Sequence, residues 1–400
     1  MSVDSHPVSG EPVPGLEALD QVMLRCLAEH GVPGASLAVA KEGRLVYARG
    51  FGWADLQALE PVRPTSRFRI ASVSKPITGA AVLRLVQEGR LSLDDRAFDL
   101  LPVEPYLAPG TRPDPRVAHI TLRHLLNHTG GWDRSRSSDP MFMPIEIARA
   151  LGAAPPAEPD HIIRWIAGRP LDFDPGQTYA YSNFGYCLLG RIIERVTGQT
   201  YAGYVQSAIL APLGLSSLEI GATRGSGRRP DEVIYYPVTD LGPSVFQADL
   251  GQRVPAHYGA WYLEAMDAHG GWIASAPDLV RFASAFDESN PGPVLTAAGI
   301  RAMFAPPPAP VSRDAGGRLN GNYYACGWSV DLPAGGKPGQ QHHNGMLPGT
   351  AAVLRRRDDG LTWAALFNRA LGRKEQYLGA PIVELMETAL GALSLDPAMK

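Results

Sequence analysis

Phe68-Arg69-Ile70-Ala71-Ser72-Val73-Ser74-Lys75-Pro76 runs directly into Ile77 to Gln87, where apolar residues recur at helical spacing. Gly89 and Leu91-Ser92-Leu93-Asp94-Asp95 close the stretch, so the pattern predicts a helix that starts close to Ser72. Pro76 has no backbone N–H and fits only near a helix start, which supports the same boundary. Ser72 and Lys75 then share one face, and the Ser72 amide points outward as an oxyanion site requires.

A serine hydroxyl is a poor nucleophile until a nearby base takes its proton, and a neutral lysine one turn away can do so. Arginine cannot, because it never loses its proton in a protein. Of 37 basic residues only five are Lys (41, 75, 337, 374 and 400), so a chain that otherwise writes Arg writes Lys where deprotonation is needed. Ser-x-x-Lys alone is a weak pattern, arising by chance in roughly a third of such chains. Its setting at a helix start is what gives it weight.

Composition narrows the function classes. A chain of 400 residues with 45% hydrophobic content can bury a large core, in two lobes or one elaborate domain. A net charge of -3 without basic runs argues against nucleic acid, and no stretch is long enough to span a membrane. Met1 to Gly15 is rich in Pro, Ser and Gly and lacks the features of a secretory signal, so a flexible first segment and a cytoplasmic protein are expected. Cys26, Cys187 and Cys326 are few and scattered, as buried apolar residues rather than a disulfide framework.

Leu16 to His30 reads as an amphipathic helix ended by Gly31, followed by strands Ala35 to Ala40 and Arg44 to Phe51 about a Glu42-Gly43 turn. Beyond Pro102 the texture becomes helices and loops. His124 and His128 have the spacing of a metal pair, but no Glu follows His124 as a zinc-protease base would require, so capping or packing is favoured and no metal is expected. Tyr181 and Asn183 lie just before an apolar helix, Tyr186 to Val196; Tyr179, Tyr181 and Tyr186 could equally be core aromatics. Glu219 to His269 reads as a long binding loop or lid whose aromatics could wall an apolar pocket.

Pro277 to Phe286 is a further helix. Tyr323 to Leu332, Gln340 to Asn344, Thr350 to Arg356 and Leu361 to Asn368 then read as strands, with a hairpin at Asp359-Gly360 and a closing helix at Pro381 to Ala392. Sheet at both ends predicts an α+β (α/β) protein. Residues 16–100 and 288–400 form its sheet domain, 101–287 an inserted, mostly helical domain, 219–269 a long loop and 1–15 a flexible lead.

Taken together these residues resemble the serine β-lactamase and penicillin-binding-protein-like hydrolases, especially class C β-lactamases, family VIII carboxylesterases and D-amino-acid peptidases. The likeness runs from about Gly31 to Asn368. Ser72 and Lys75 match the first motif, and Tyr181 and Asn183 the second, Tyr-x-Asn. His128, His257, His269 and His343 are each followed by Gly two residues later; position selects His343-Asn344-Gly345 as the third motif, because it alone lies in the C-terminal sheet region.

The resemblance implies an antiparallel β-lactamase-like sheet flanked by helices and acyl transfer through Ser72, with Lys75 and Tyr181 handling the proton. It implies an oxyanion held by the amides of Ser72 and Met346, substrate contacts from His343, Asn344 and Gly345, and Asn183 holding the substrate or Lys75, without a cofactor. A His where lactamases carry Lys removes a fixed positive charge, which shifts the expectation from β-lactams towards esters. A carboxylic ester with a small or medium acyl group is the expected substrate. A D-amino-acid peptidase or amidase, a weak β-lactamase and a non-catalytic ligand-binding homologue are the competing readings.

Overall fold

A computed structural model describes residues 6–237, 241–308, 310–311, 313, 317–336, 338–373 and 375–392. Its centre is a nine-stranded antiparallel sheet drawn from both ends of the chain. Strand Gly34–Lys41 pairs with Arg44–Asp55 on one side and with Leu361–Phe367 on the other; Thr350–Arg357 and Gln340–Leu347 follow outward. Leu361–Phe367 is buried at every position, so it reads as a continuous apolar run rather than an alternating one.

Helices Glu17–His30 and Gly379–Ala392 cover one face through Leu19, Met23, Leu27, Ile382 and Met386. Gly31 ends the first of these in the left-handed conformation that glycine adopts without steric cost. Helix Ala276–Ser284 packs on the opposite face, against Gly34–Lys41 and Leu361–Phe367. The central helix Ser74–Gln87 lies between the sheet and a helical layer that includes Asn183–Thr197. Among the described residues no helix is long and apolar enough to cross a membrane.

The structure departs from the sequence expectations at several places. Within the expected flexible lead, Val8–Ser9 pairs with Phe51 and Gly50 as an edge strand; Met1 to Ser5 lie outside the described residues. Tyr323 to Leu332 is two strands, Tyr323–Ala325 and Trp328–Asp331, because Cys326 and Gly327 both take positive φ and turn the chain back. The helix expected from Tyr186 begins at Asn183, since the Ser182 hydroxyl accepts from the Gly185 amide and caps it. The helix bearing His124 ends at Leu126, and His128 has left it with a φ of 57°, so the two imidazoles do not share a helical face.

Candidate active site

Strand Phe68–Arg69 pairs with Trp272–Ala274 and delivers the chain to a tight turn, Ala71–Val73, before the central helix. Ala71 has a φ of 48°, a conformation that costs an L-residue energy and persists only where its surroundings enforce it. Arg69, two residues before it, is held tightly. Its fully buried guanidinium donates to the carbonyls of Ala222 and His257, both at 2.7 Å, and stacks at 4.5 Å from the Tyr235 ring centroid. Tyr258 and Trp261 complete this cage. Tyr235, Tyr258 and Trp261 of 219–269 thus pack around Arg69, and among the described residues no aromatic of that segment lines the serine's cavity.

Lys75 is completely buried. Its Nζ lies 3.2 Å from Ser72 Oγ, 2.8 Å from Asn183 Oδ1 and 3.1 Å from the His269 carbonyl. Burial, the largest influence, pulls its pKa well below the ordinary 10.5; Asp139 opposes this and Arg134 adds to it. A neutral amine has two N–H groups and one lone pair. The two carbonyl oxygens take the donors, which leaves the lone pair for the Ser72 hydroxyl.

Tyr181 and Asn183 flank the cap residue Ser182 and reach the same place. The Tyr181 hydroxyl meets the Ser72 side chain, and Lys75 Nζ sits 4.7 Å from the Tyr181 ring centroid. Burial raises the phenol pKa, so Tyr181 rests protonated. Asn183 is held from behind, its Nδ2 donating to Asp139 Oδ2 at 2.7 Å. Asp139, Arg134 and Tyr324 carry no signal in the sequence, since each lies far from the motifs and comes to them only by folding.

His343, Asn344, Gly345 and Met346 lie on Gln340–Leu347 beyond its pairing with Trp328–Asp331, which stops at His342. Their free edge faces the serine turn. A Cβ on Gly345 would come within 2.1 Å of the Ile70 carbonyl oxygen, so only glycine lets the strand approach so closely.

His343 has no hydrogen-bonding atom to spare. Its Nδ1 is 2.7 Å from the Asn344 carbonyl and must carry the proton, while Nε2 accepts from the Tyr324 hydroxyl at 3.0 Å. Burial, with Lys75 nearby, holds its pKa well below 6.5. With both nitrogens engaged, the imidazole orients Tyr324 and also lines the same cavity as Ser72. Asn344 is likewise engaged, its Oδ1 accepting from Arg355 at 2.8 Å.

Ser72, Tyr181, Arg134, Tyr324, Asn344 and Met346 line one cavity of about 350 Å³. Met346 also borders an apolar hollow of about 320 Å³, together with Phe142, Pro237, Ala256, Leu347 and Leu371. The 219–269 segment contributes to this second space through Pro237 and Ala256, not through its aromatics. His124 Nδ1 accepts from the Thr121 amide in a capping box, and the three cysteines are buried with thiols pushed up to about 12.

Comparison with known proteins places the chain in a family. A family model described as Beta-lactamase matches residues 19–385. Esterase EstB of Burkholderia gladioli is 32% identical over 278 residues, 68% of this chain and 65% of that protein. A protein of Dichelobacter nodosus described as "Probable fimbrial assembly protein FimD, serogroup H1" is 32% identical over 275 residues, 68% of this chain and 62% of its own length. The chain thus spans less than two thirds of these relatives. The octameric penicillin-binding protein homologue from Pyrococcus abyssi superposes with a TM-score of 0.71 at 23% identity, covering 94% of this chain and 77% of that one, a likeness of fold. The chain belongs to the beta-lactamase family, within the serine β-lactamase and penicillin-binding-protein-like superfamily.

Proposed function

We propose that the protein is a serine hydrolase that cleaves carboxylic esters with a small or medium acyl group through an acyl-enzyme at Ser72. The observation that carries this reading is the buried Lys75 amine 3.2 Å from Ser72 Oγ, with its two donors accounted for elsewhere. Ser72 Oγ attacks the ester carbonyl carbon as its proton passes to Lys75 Nζ. The oxyanion sits between the amides of Ser72 and Met346, where losing one donor typically costs about 3 kcal/mol of barrier.

Collapse breaks the bond to the alcohol oxygen. Tyr181 gives that oxygen its proton and takes one back from the Lys75 ammonium. Water then attacks the acyl-enzyme, loses a proton to the same pair and releases the acid with Ser72 restored. The opposite pKa shifts of Lys75 and Tyr181 favour the lysine as the resting base. No metal or cofactor enters any step.

The ester choice rests on three supports. His343 offers no fixed positive charge and no free ring nitrogen with which to hold a β-lactam carboxylate. The hollow on the other side of Met346 is apolar and shares that residue with the serine's cavity, a place suited to an acyl chain. The relative EstB is an esterase by name. The test is a comparison of kcat/KM on p-nitrophenyl esters from acetate to octanoate, on nitrocefin and on D-alanyl anilides. Preference for the short and medium esters is expected; preference for either of the others overturns the substrate class and favours the lactamase or D-amino-acid amidase reading.

A further inference from the structure

His128 lies outside the three motifs, yet it touches the middle one from both sides. Its carbonyl accepts from the Ala180 amide at 2.9 Å, and its Nδ1 accepts from the Ser182 amide at 3.2 Å. These are the two amides that flank Tyr181. The imidazole also lies against the Tyr181 ring, with centroids 4.3 Å apart, and against Tyr324 at 4.4 Å. It is buried, and Nε2 has no hydrogen-bond partner among the described residues.

The backbone is arranged for this grip. His128 takes a φ of 57°, uncommon for a residue with a Cβ, and that conformation turns it out of the preceding helix towards residues 180–182. Accepting from Ser182 requires a lone pair on Nδ1, so the ring must be neutral with its proton on Nε2. The Ser182 hydroxyl is meanwhile committed to capping the next helix. One residue therefore fixes the backbone before Tyr181, the backbone after it and one flank of the ring.

We propose that His128 is the positioning residue that sets Tyr181 for proton transfer at Ser72, acting through the Nδ1 acceptor and its grip on residues 180–182. This rests on the catalytic reading of Ser72 and Tyr181. A misplacement of about 1 Å in such a constellation can cost about 100-fold in rate. Asparagine tolerates positive φ and presents its Oδ1 where Nδ1 lies; glutamine sets its acceptor one bond farther out and leucine has none.

The test compares H128N, H128Q and H128L for kcat and KM on p-nitrophenyl acetate and for fluorophosphonate labelling, with thermal melts as the folding control. H128L is expected to lose about 100-fold in kcat with KM little changed, H128Q to be similarly slow, and H128N to recover at least tenfold over H128L. Near-normal kcat in a folded H128L or H128Q overturns the inference. So does an H128N no faster than H128L or H128Q, since the acceptor would not be what matters. If H128L fails to fold, the comparison of H128Q with H128N decides alone. A wild-type protein that takes no label on Ser72 overturns the catalytic reading as well, whereas labelled wild type with unaffected variants sinks this inference only.

Discussion

Lys75 Nζ stands 3.2 Å from Ser72 Oγ, while its other polar contacts, Asn183 Oδ1 and the His269 carbonyl, can only accept. These oxygens accept from the amine in either protonation state; it is burial that disfavours the cation and leaves a lone pair for the serine. The chemistry proposed for the site follows from this one residue's protonation state.

Replacing Lys75 by Arg keeps N–H donors but puts a permanent cation in place of the neutral amine and removes the ability to accept a proton. K75R is expected to lose about 10³-fold in kcat, within the range that general-base groups contribute. Steady-state rates on p-nitrophenyl acetate check this. Near-normal turnover would remove the base role from Lys75.

Activity should fall on the acidic side as pH drops through the depressed pKa of Lys75, because only the neutral amine accepts the Ser72 proton. Arg134 pushes that pKa down, so R134Q should move the acid limb to higher pH. N183D sets a carboxylate where Asn183 Oδ1 now meets Nζ and should move it in the same direction. Profiles of kcat/KM against pH measure both shifts. A limb that stays in place, or moves to lower pH, contradicts the assignment.

His128, His269 and His343 are all held well below 6.5, chiefly by burial, so the folded protein keeps them neutral where the unfolded chain binds protons. In the window from 6.5 down to the folded-state values the unfolded state carries more protons, and stability falls as pH falls. Urea midpoints should be lower at pH 5 than at pH 7.5, with net proton uptake on unfolding. A midpoint that does not change across that range would mean these imidazoles are not held neutral.

Gly345 carries the close approach between Gln340–Leu347 and the carbonyl just before the serine turn. G345A forces a contact of 2.1 Å against backbone, which cannot yield as a side chain could. A stability loss of about 1–3 kcal/mol is expected from overpacking, together with a drop in kcat as the strand retreats from Ser72. Denaturant titration and kinetics on the same preparation check it. Unchanged values for both would mean the strand has room to spare.

The parts of the site legible in the sequence are those whose partners are local or carry a short motif. Ser72 and Lys75 meet because they are three apart at a helix start, and Tyr181 with Asn183 because they bracket a helix cap. The strands of the last hundred residues are readable from segments that alternate or run apolar. Contacts made by distant chain were not: Asp139 behind Asn183, Tyr324 on His343 and Arg134 near Lys75 depend on how separate segments meet, which no periodicity encodes. Buried aromatics in 219–269 look the same in sequence whether they line a cavity or cage Arg69. The break at Cys326 was hidden because a residue with a Cβ adopts the turn conformation usually signalled by glycine.

The most direct measurement is to incubate the protein with a p-nitrophenyl ester, quench in acid during turnover, digest it and weigh the peptides. The account predicts one acyl group, on the peptide that contains Ser72, and none in S72A. Turnover with no acylated peptide, or an acyl group on any other residue, would contradict it.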